Sequence, residues 1–152
     1  MRSKWTLSPV ACLLILLVLG CGGRDPALPD LVPVNGTITL DGKPLAAVLV
    51  NFLPQGKTRG NGATGYADEN GKYELTDAHG GAGAPVGEYR VVLSKLVMPD
   101  GSPYDASAGL APMDSPAKEF LPGIYSDMEM STLTFTVPEA GGPADFDLKS
   151  QR

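Results

Sequence analysis

Few side chains in this sequence have the type and spacing that catalysis requires. The chain has one histidine, His79, in a glycine-rich stretch, together with many serines and aspartates. A Ser-His-Asp triad needs three such groups in mutual contact, and its serine often lies within a G-x-S-x-G turn. No serine here has that pattern around it. We therefore expect no catalytic residues and interpret His79 as a solvated loop side chain.

Two acidic groups are candidates for metal binding or for ordinary structure. Residues 68–71 (Asp-Glu-Asn-Gly) resemble part of a calcium loop, but the spaced acidic positions and terminal glutamate of such a loop are missing. Asp145 and Asp147 alternate with Phe146 and Leu148, which puts both carboxylates on one outer strand face. We predict a turn at 68–71 and a solvent-facing acidic pair, and neither a metal site nor a cofactor.

Residues 97–127 are the longest stretch without strand alternation, and long loops in compact domains often carry function. Four large side chains within this stretch are candidates for a binding surface: Tyr104, Met113, Phe120 and Tyr125. The sequence leaves two interpretations open, a binding loop or a packed or mobile connection.

The charge balance argues against nucleic acid as a partner. The chain has 12 basic and 17 acidic residues and a formal net charge of −5. If the first 20 residues are removed, Arg2 and Lys4 leave with them, and 10 basic against 17 acidic residues give −7. No cluster of lysine and arginine remains that could contact phosphates.

The N-terminal 20 residues have the three parts of a secretory signal peptide. Arg2 and Lys4 supply a positive start, residues 10–19 are continuously apolar, and Gly20 is a small residue before a cleavage point. The apolar run is shorter than the ~20 residues that span a bilayer. A transmembrane anchor is therefore the weaker interpretation.

The residues before Cys21 resemble the lipobox of bacterial lipoproteins. They read Val18-Leu19-Gly20, where the lipobox prefers leucine at the first position and a small residue at the second. The resemblance implies cleavage between Gly20 and Cys21 and attachment of fatty-acyl chains such as palmitate to Cys21. An ordinary signal peptide with an incidental cysteine is the alternative. Because Cys12 lies in the leader, the processed chain could form no internal disulfide.

Beyond residue 33 the apolar residues recur with period two, which predicts strands. We predict seven of them, at 34–40, 47–53, 63–67, 72–76, 88–96, 131–137 and 144–149. The Asp41-Gly42 pair favours a tight turn that joins the first two strands as a hairpin. Seven alternating strands predict an all-β fold, a seven-stranded antiparallel β-sandwich.

The predicted organisation has three parts along the chain. A lipoprotein signal peptide at 1–20 precedes a lipidated N-terminus and proline- and glycine-rich tether at 21–33. The β-sandwich domain follows at 34–150. Its inward-facing side chains are predicted from the alternation to include Val48, Val50, Phe52, Tyr73, Leu75, Tyr89, Val91, Leu93, Leu133, Phe135, Val137, Phe146 and Leu148.

The spacing of glycines and apolar residues within 34–96 resembles the carboxypeptidase regulatory-like domain. The matching pieces are V-x-G-x-I-x-L-D-G-K-P-L from Val34, V-x-V-x-F from Val48, G-x-x-D-x-x-G-x-Y-x-L from Gly65 and G-x-Y-x-V from Gly87. The resemblance implies a transthyretin-like sandwich fold. In carboxypeptidases this domain is an accessory to a catalytic one, and no catalytic domain accompanies it in this sequence.

The C-terminal part resembles small lipoproteins that carry the same domain. The pattern is L-P-G-I-Y-S-D from Leu121, followed by L-x-F-x-V from Leu133. Gly123 and Ile124 stand where those relatives usually have a charged residue or two.

Together these features predict a non-enzymatic lipoprotein of the cell envelope, anchored to the outer membrane or the periplasmic face through lipid on Cys21. The domain is expected to bind or support a protein or glycan partner. A hydrolase-type enzyme with an unrecognised site and a purely structural envelope coat are the alternatives.

The anchoring prediction is tested by the substitution Cys21→Ser. The variant lacks the thiol that is acylated, so we expect loss of fatty-acid labelling and of membrane retention. Metabolic labelling with a fatty-acid analogue and membrane fractionation measure both. Unchanged labelling of the variant would overturn the lipoprotein assignment.

Overall fold

A computed structural model of the chain describes residues 29–150. Strands make up 42% and helices 8% of the structure, which confirms the all-β prediction. The helical part is α1 (Gly123–Ser126) and two 3₁₀ turns (Ala106–Ala108 and Pro112–Asp114). The strands are β1 (Leu31–Val32), β2 (Val34–Leu40), β3 (Lys43–Pro44), β4 (Leu49–Pro54), β5 (Ala63–Tyr66), β6 (Lys72–Glu74), β7 (Thr76–Asp77), β8 (Ala84–Pro85), β9 (Gly87–Ser94), β10 (Leu96–Val97), β11 (Lys118–Glu119), β12 (Thr134–Val137), β13 (Gly142–Pro143) and β14 (Phe146–Leu148).

One sheet has five strands in the order β12-β9-β4-β5-β7, and every neighbouring pair is antiparallel. Strand β9 is the longest, with eight residues, and β4 pairs with it over six positions. Six residues of these two strands are buried, and five of the six are valine or aromatic, as expected for residues that pack well on a pleated surface. This sheet is the broad, regular part of the molecule.

The other five-stranded sheet is built around β2. Strands β3 and β6 pair antiparallel with β2, whereas β13 and β14 pair parallel with it. The prediction of a wholly antiparallel fold is therefore wrong at these two pairs. The chain enters this sheet along β2 and returns at its end in the same direction, which places its first and last long segments side by side.

The predicted hairpin between 34–40 and 47–53 does not form. Asp41 and Gly42 do make a tight turn, with φ angles of 51° and 78°, but the turn joins β2 to the short β3. Strand β4 then lies in the other sheet. Alternation gives the buried face of each strand but not its partner, so two consecutive strands with facing apolar sides can occupy opposite sheets.

The boundaries of two other predicted segments, the strand at 72–76 and the tether at 21–33, also differ from those in the structure. The predicted strand at 72–76 is two strands, because β6 pairs with β2 and β7 pairs with β5 of the opposite sheet. Strand β1 pairs with β8, although it falls in the segment 21–33 that the sequence predicts as a tether. Strand pairing in the described part of the chain therefore begins at Leu31.

The inner faces of the two sheets share one hydrophobic core. The Phe52 ring is its centre, with ring centroids 5.5 Å from Tyr89, 5.8 Å from Phe135 and 6.3 Å from Phe146. Aromatic pairs at these separations add to the free energy gained from burial. The predicted inward residues of β4, β9 and β14 are buried, while Leu133 and Phe135 are only partly buried.

Gly36 permits the close approach of β2, β6 and the segment that links β13 to β14. A Cβ atom at this position would lie 2.0 Å from the carbonyl oxygen of Ala144 and 3.0 Å from the Tyr73 ring. The Tyr73 hydroxyl donates a hydrogen bond of 2.5 Å to the same carbonyl. Burial raises the pKa of this hydroxyl, with a further contribution from the charge on Asp145, so the donor stays protonated.

We expect Gly36→Ala to lower the free energy of unfolding by about 3 kcal/mol, because the new methyl group overlaps the Ala144 carbonyl. Chemical denaturation measures the loss. Gly123→Ala is the matched control, since its Cβ would meet no atom closer than 3.7 Å. Equal stability of the two variants would contradict this account of the sheet.

Aspartates tie the C-terminal end of the chain to β2 and the turn that follows it. Asp147 accepts a hydrogen bond of 2.7 Å from Thr39, and Asp41 accepts one of 2.6 Å from Ser150. The Thr39 hydrogen bond, followed by Lys149, lowers the pKa of Asp147. Hydrogen bonds from Ser150 lower the pKa of Asp41. As predicted from the alternation, Asp147 faces solvent.

These lowered pKa values predict a dependence of stability on pH. A carboxylate whose pKa is lower in the folded state stabilises the fold above its ordinary value near 4 and loses that contribution as the pH falls through the folded value. We expect Asp147→Asn to be less stable than the parent at pH 7, with the difference shrinking towards pH 2. Urea unfolding at several pH values measures it, and a difference independent of pH would contradict the prediction.

Candidate functional site

Residues 95–127 leave the end of β9 and fold back over the outer face of the antiparallel sheet. Strands β10 and β11 pair at the base of this excursion, and Val97 also bridges to Pro103. The Phe120 amide donates to the Lys95 carbonyl, and the Tyr104 amide donates to the Leu96 carbonyl. The segment is thus a hydrogen-bonded structure of its own.

An apolar groove of about 390 Å³ lies between the excursion and the sheet. We call it the tyrosine groove, because two tyrosine side chains line it. Its lining residues are Ala47, Leu49, Tyr66, Ser94, Leu96, Tyr104, Asp105, Ala106 and Pro112. The volume falls in the range of small-molecule binding clefts.

The floor of the tyrosine groove is a row of residues across three strands. Leu49 of β4 lies opposite Tyr66 of β5 on one side and opposite Ser94 of β9 on the other. Leu49 is 41% exposed and Tyr66 is 57% exposed, although both are large apolar side chains. An outward-facing pair of this kind marks a candidate contact surface.

The wall of the tyrosine groove is held by hydrogen bonds within the excursion. The Tyr104 hydroxyl donates to the carbonyl oxygen of Leu110. Asp105 caps the first 3₁₀ turn by accepting from the amide and the hydroxyl of Ser107. These bonds from Ser107 lower the pKa of Asp105, which therefore carries its charge at the rim at neutral pH.

The structure separates the four side chains that the sequence proposes as a binding loop. Tyr104 lines the tyrosine groove, whereas Met113 is 90% exposed beside it. Phe120 is half-exposed and lies under the Lys95 ammonium, 6.0 Å from the ring centroid. Tyr125 packs against the core, and its hydroxyl is 3.2 Å from the backbone nitrogen of Lys149.

Leu49 and Tyr66 are the groove residues that the sequence reasoning missed. Each is a large apolar residue at an outward position of its strand, which an alternating pattern assigns to solvent. Leu49 interrupts the alternation between Val48 and Val50, and that interruption is the signal that could have identified it.

A second, polar groove of about 610 Å³ adjoins the first and shares Tyr66 with it. We call it the polar groove. Its other lining residues come from β2, β6, the turn before β6 and the C-terminal segment, and are Asn35, Gly36, Thr37, Asp68, Lys72, Tyr73, Glu74, Pro143 and Asp145. Asp145 accepts a hydrogen bond of 2.7 Å from the Thr37 amide.

His79 and the turn at 68–71 have local roles. His79 lies 3.1 Å from Asp77, and neither residue lines the two grooves. Partial desolvation alone would raise the pKa of Asp77, but hydrogen bonds from Gly81 and His79 outweigh it and lower that pKa. Asp68 accepts from the amides of Asn70 and Lys72, so its carboxylate closes the predicted turn. Within residues 29–150, no three histidine, cysteine or acidic side chains are grouped to hold a metal ion.

The predicted signal peptide, with Gly20 and the acylation candidate Cys21, lies outside the described residues. In the part of the chain that is described, no helix has the length and apolar character needed to cross a bilayer.

Comparisons with protein-family models, with curated proteins and with solved structures gave no match to this chain. The resemblance to the carboxypeptidase regulatory-like domain stays a prediction.

The Tyr104 hydrogen bond can be removed without changing the groove surface. We expect Tyr104→Phe to loosen residues 105–111 by ~1 kcal/mol, the usual contribution of one hydrogen bond. Amide hydrogen exchange there should be roughly fivefold faster, with the global unfolding free energy nearly unchanged. Unaltered exchange in this segment would show that the bond does not hold the wall in place.

Proposed function

We propose that this protein is a membrane-anchored, non-enzymatic lipoprotein of the cell envelope whose β domain binds a partner, protein or glycan, in the tyrosine groove. The observation that carries the proposal is the outward pair Leu49 and Tyr66, two large apolar side chains that lie side by side and partly exposed at the base of a groove. The excursion wall beside this pair turns the exposed surface into a concave site.

Anchoring rests on the sequence around Cys21. The acyl chains implied by the lipobox resemblance would bury many methylene groups, each contributing about 0.8 kcal/mol, so two or three chains hold a domain durably. Only residues 22–30 separate Cys21 from β1, so the anchored domain stays near the membrane surface.

The chemistry of the grooves supports binding rather than catalysis. A hydrolase site of the Ser-His-Asp type brings a nucleophile, a base and an oxyanion donor together. The one histidine pairs with Asp77 away from both grooves, and the Asp105 carboxylate is engaged by Ser107. The tyrosine groove instead offers apolar rings and one carboxylate at its rim.

The fold that we propose is a transthyretin-like β-sandwich of the carboxypeptidase regulatory-like type. Two five-stranded sheets with one shared core support it. So does the tight turn at Asp41 and Gly42, which falls within the family-like pattern that starts at Val34.

The proposal is tested by site-specific photo-cross-linking in living cells. A p-azidophenylalanine at position 66 is expected to give a reproducible cross-linked product, because Tyr66 projects into both grooves. Position 120 is the matched control, since Phe120 is 52% exposed but lines neither groove.

Anchoring is examined in the same strains. Adding Cys21→Ser should release the protein from membranes, whereas Cys12→Ser should leave it anchored. Absence of any product at position 66, or equal products at 66 and 120, would contradict a groove-binding module and favour a structural coat.

A further inference from the structure

We propose that the two adjoining grooves together bind a neutral oligosaccharide, with the Tyr66 ring as the platform between an apolar and a polar subsite. This inference rests on the proposed binding function and names its ligand class. The starting observation is that Tyr66 lines both grooves and is 57% exposed.

The apolar subsite has the chemistry that a sugar ring requires. One face of a pyranose presents C–H groups, which pack against the faces of aromatic rings. Tyr66 and Tyr104 both line the tyrosine groove, and Leu49 and Pro112 supply further apolar surface between the sheet and the excursion. Aromatic rings lose few rotatable bonds on binding, so they are efficient contact surfaces.

The polar subsite offers both donors and acceptors. Strand register places Glu74 opposite Asn35 and Lys72 opposite Thr37. An amide, a hydroxyl, an ammonium and a carboxylate therefore lie on neighbouring positions of two strands. A sugar hydroxyl donates one hydrogen bond and accepts others, so a mixed set of this kind matches it better than a set of one type.

Charge argues against an acidic ligand. The polar groove holds the carboxylates of Asp68, Glu74 and Asp145 against the single ammonium of Lys72, and Asp105 adds a further carboxylate in the tyrosine groove. An anionic polymer would be repelled by this excess. A neutral glycan has no such penalty, and its hydroxyls can donate to the carboxylates.

At the tyrosine groove, strand geometry argues against an extended peptide added to the sheet. Peptides that bind by strand addition need an open sheet edge. The central strand of the tyrosine-groove floor is β4, which pairs with β5 on one side and β9 on the other. The groove presents side chains, not unpaired backbone groups, to its occupant.

Calorimetric titration of the purified full chain tests the inference, in a detergent without a sugar headgroup so that the micelle does not compete. The probes are cellohexaose, maltohexaose and chitohexaose, with hexagalacturonate as the anionic comparison. We expect at least one neutral hexasaccharide to bind and hexagalacturonate to bind at least tenfold more weakly.

Three variants locate the site. Tyr66→Ala should weaken binding about tenfold or more through loss of the stacking surface, and Tyr66→Phe should stay within about threefold of the parent. Phe120→Ala is the matched control, because it removes an aromatic ring of similar exposure outside both grooves, and it should bind like the parent.

The inference is overturned if none of the three neutral probes binds at millimolar concentration, if hexagalacturonate binds as well as they do, or if Phe120→Ala weakens binding as much as Tyr66→Ala. Failure of the saccharides together with a protein cross-linked at position 66 would remove the glycan inference and leave the binding module standing. If no saccharide binds and no protein is cross-linked at position 66, both the glycan inference and the binding module are wrong.

Discussion

Strand β2 is the common partner of β3, β6, β13 and β14, so one sheet depends on the backbone geometry of a single strand. The narrowest point is Gly36, where the Ala144 carbonyl and the Tyr73 ring approach to distances that exclude any side chain. The Tyr73 hydroxyl donates a hydrogen bond to that carbonyl oxygen. Gly36 on β2 and Tyr73 on β6 thus fix the position of the C-terminal segment, whose strands β13 and β14 pair parallel with β2. This segment closes the core.

A crossing of the chain between the two sheets positions the tyrosine groove. Because β3 pairs with β2 whereas β4 lies in the other sheet, the chain must cross between the sheets after β3, and Ala47 in that crossing has a φ of 57°. The crossing delivers Leu49 to the outer face of the antiparallel sheet beside Tyr66. Glycine is the residue that usually adopts such a backbone, so the conformation of Ala47 indicates that its neighbours hold the crossing in place. Ala47 itself lines the tyrosine groove.

Sequence alternation predicted the buried faces of β4, β9 and β14 and the turn at Asp41 and Gly42, because side-chain period and turn chemistry are local properties. Partner choice is not local. The failed hairpin, the division of 72–76 between two sheets and the parallel return of β14 all follow from contacts between distant segments. The site is only partly predictable for the same reason: Tyr104, a candidate from the sequence, lines the groove, but Tyr125 packs against the core, and the sequence reasoning does not single out Leu49 or Tyr66.

We propose that a ligand occupies the tyrosine groove in the cell envelope. Hydroxyl-radical footprinting tests this proposal most directly. The method compares oxidation of each side chain in intact envelopes with oxidation in the purified chain. We predict that Tyr66 is protected in envelopes, while Phe120, which is nearly as exposed but lines neither groove, is oxidised equally in both samples. Equal oxidation of Tyr66 in the two samples would contradict the claim that a ligand covers this surface.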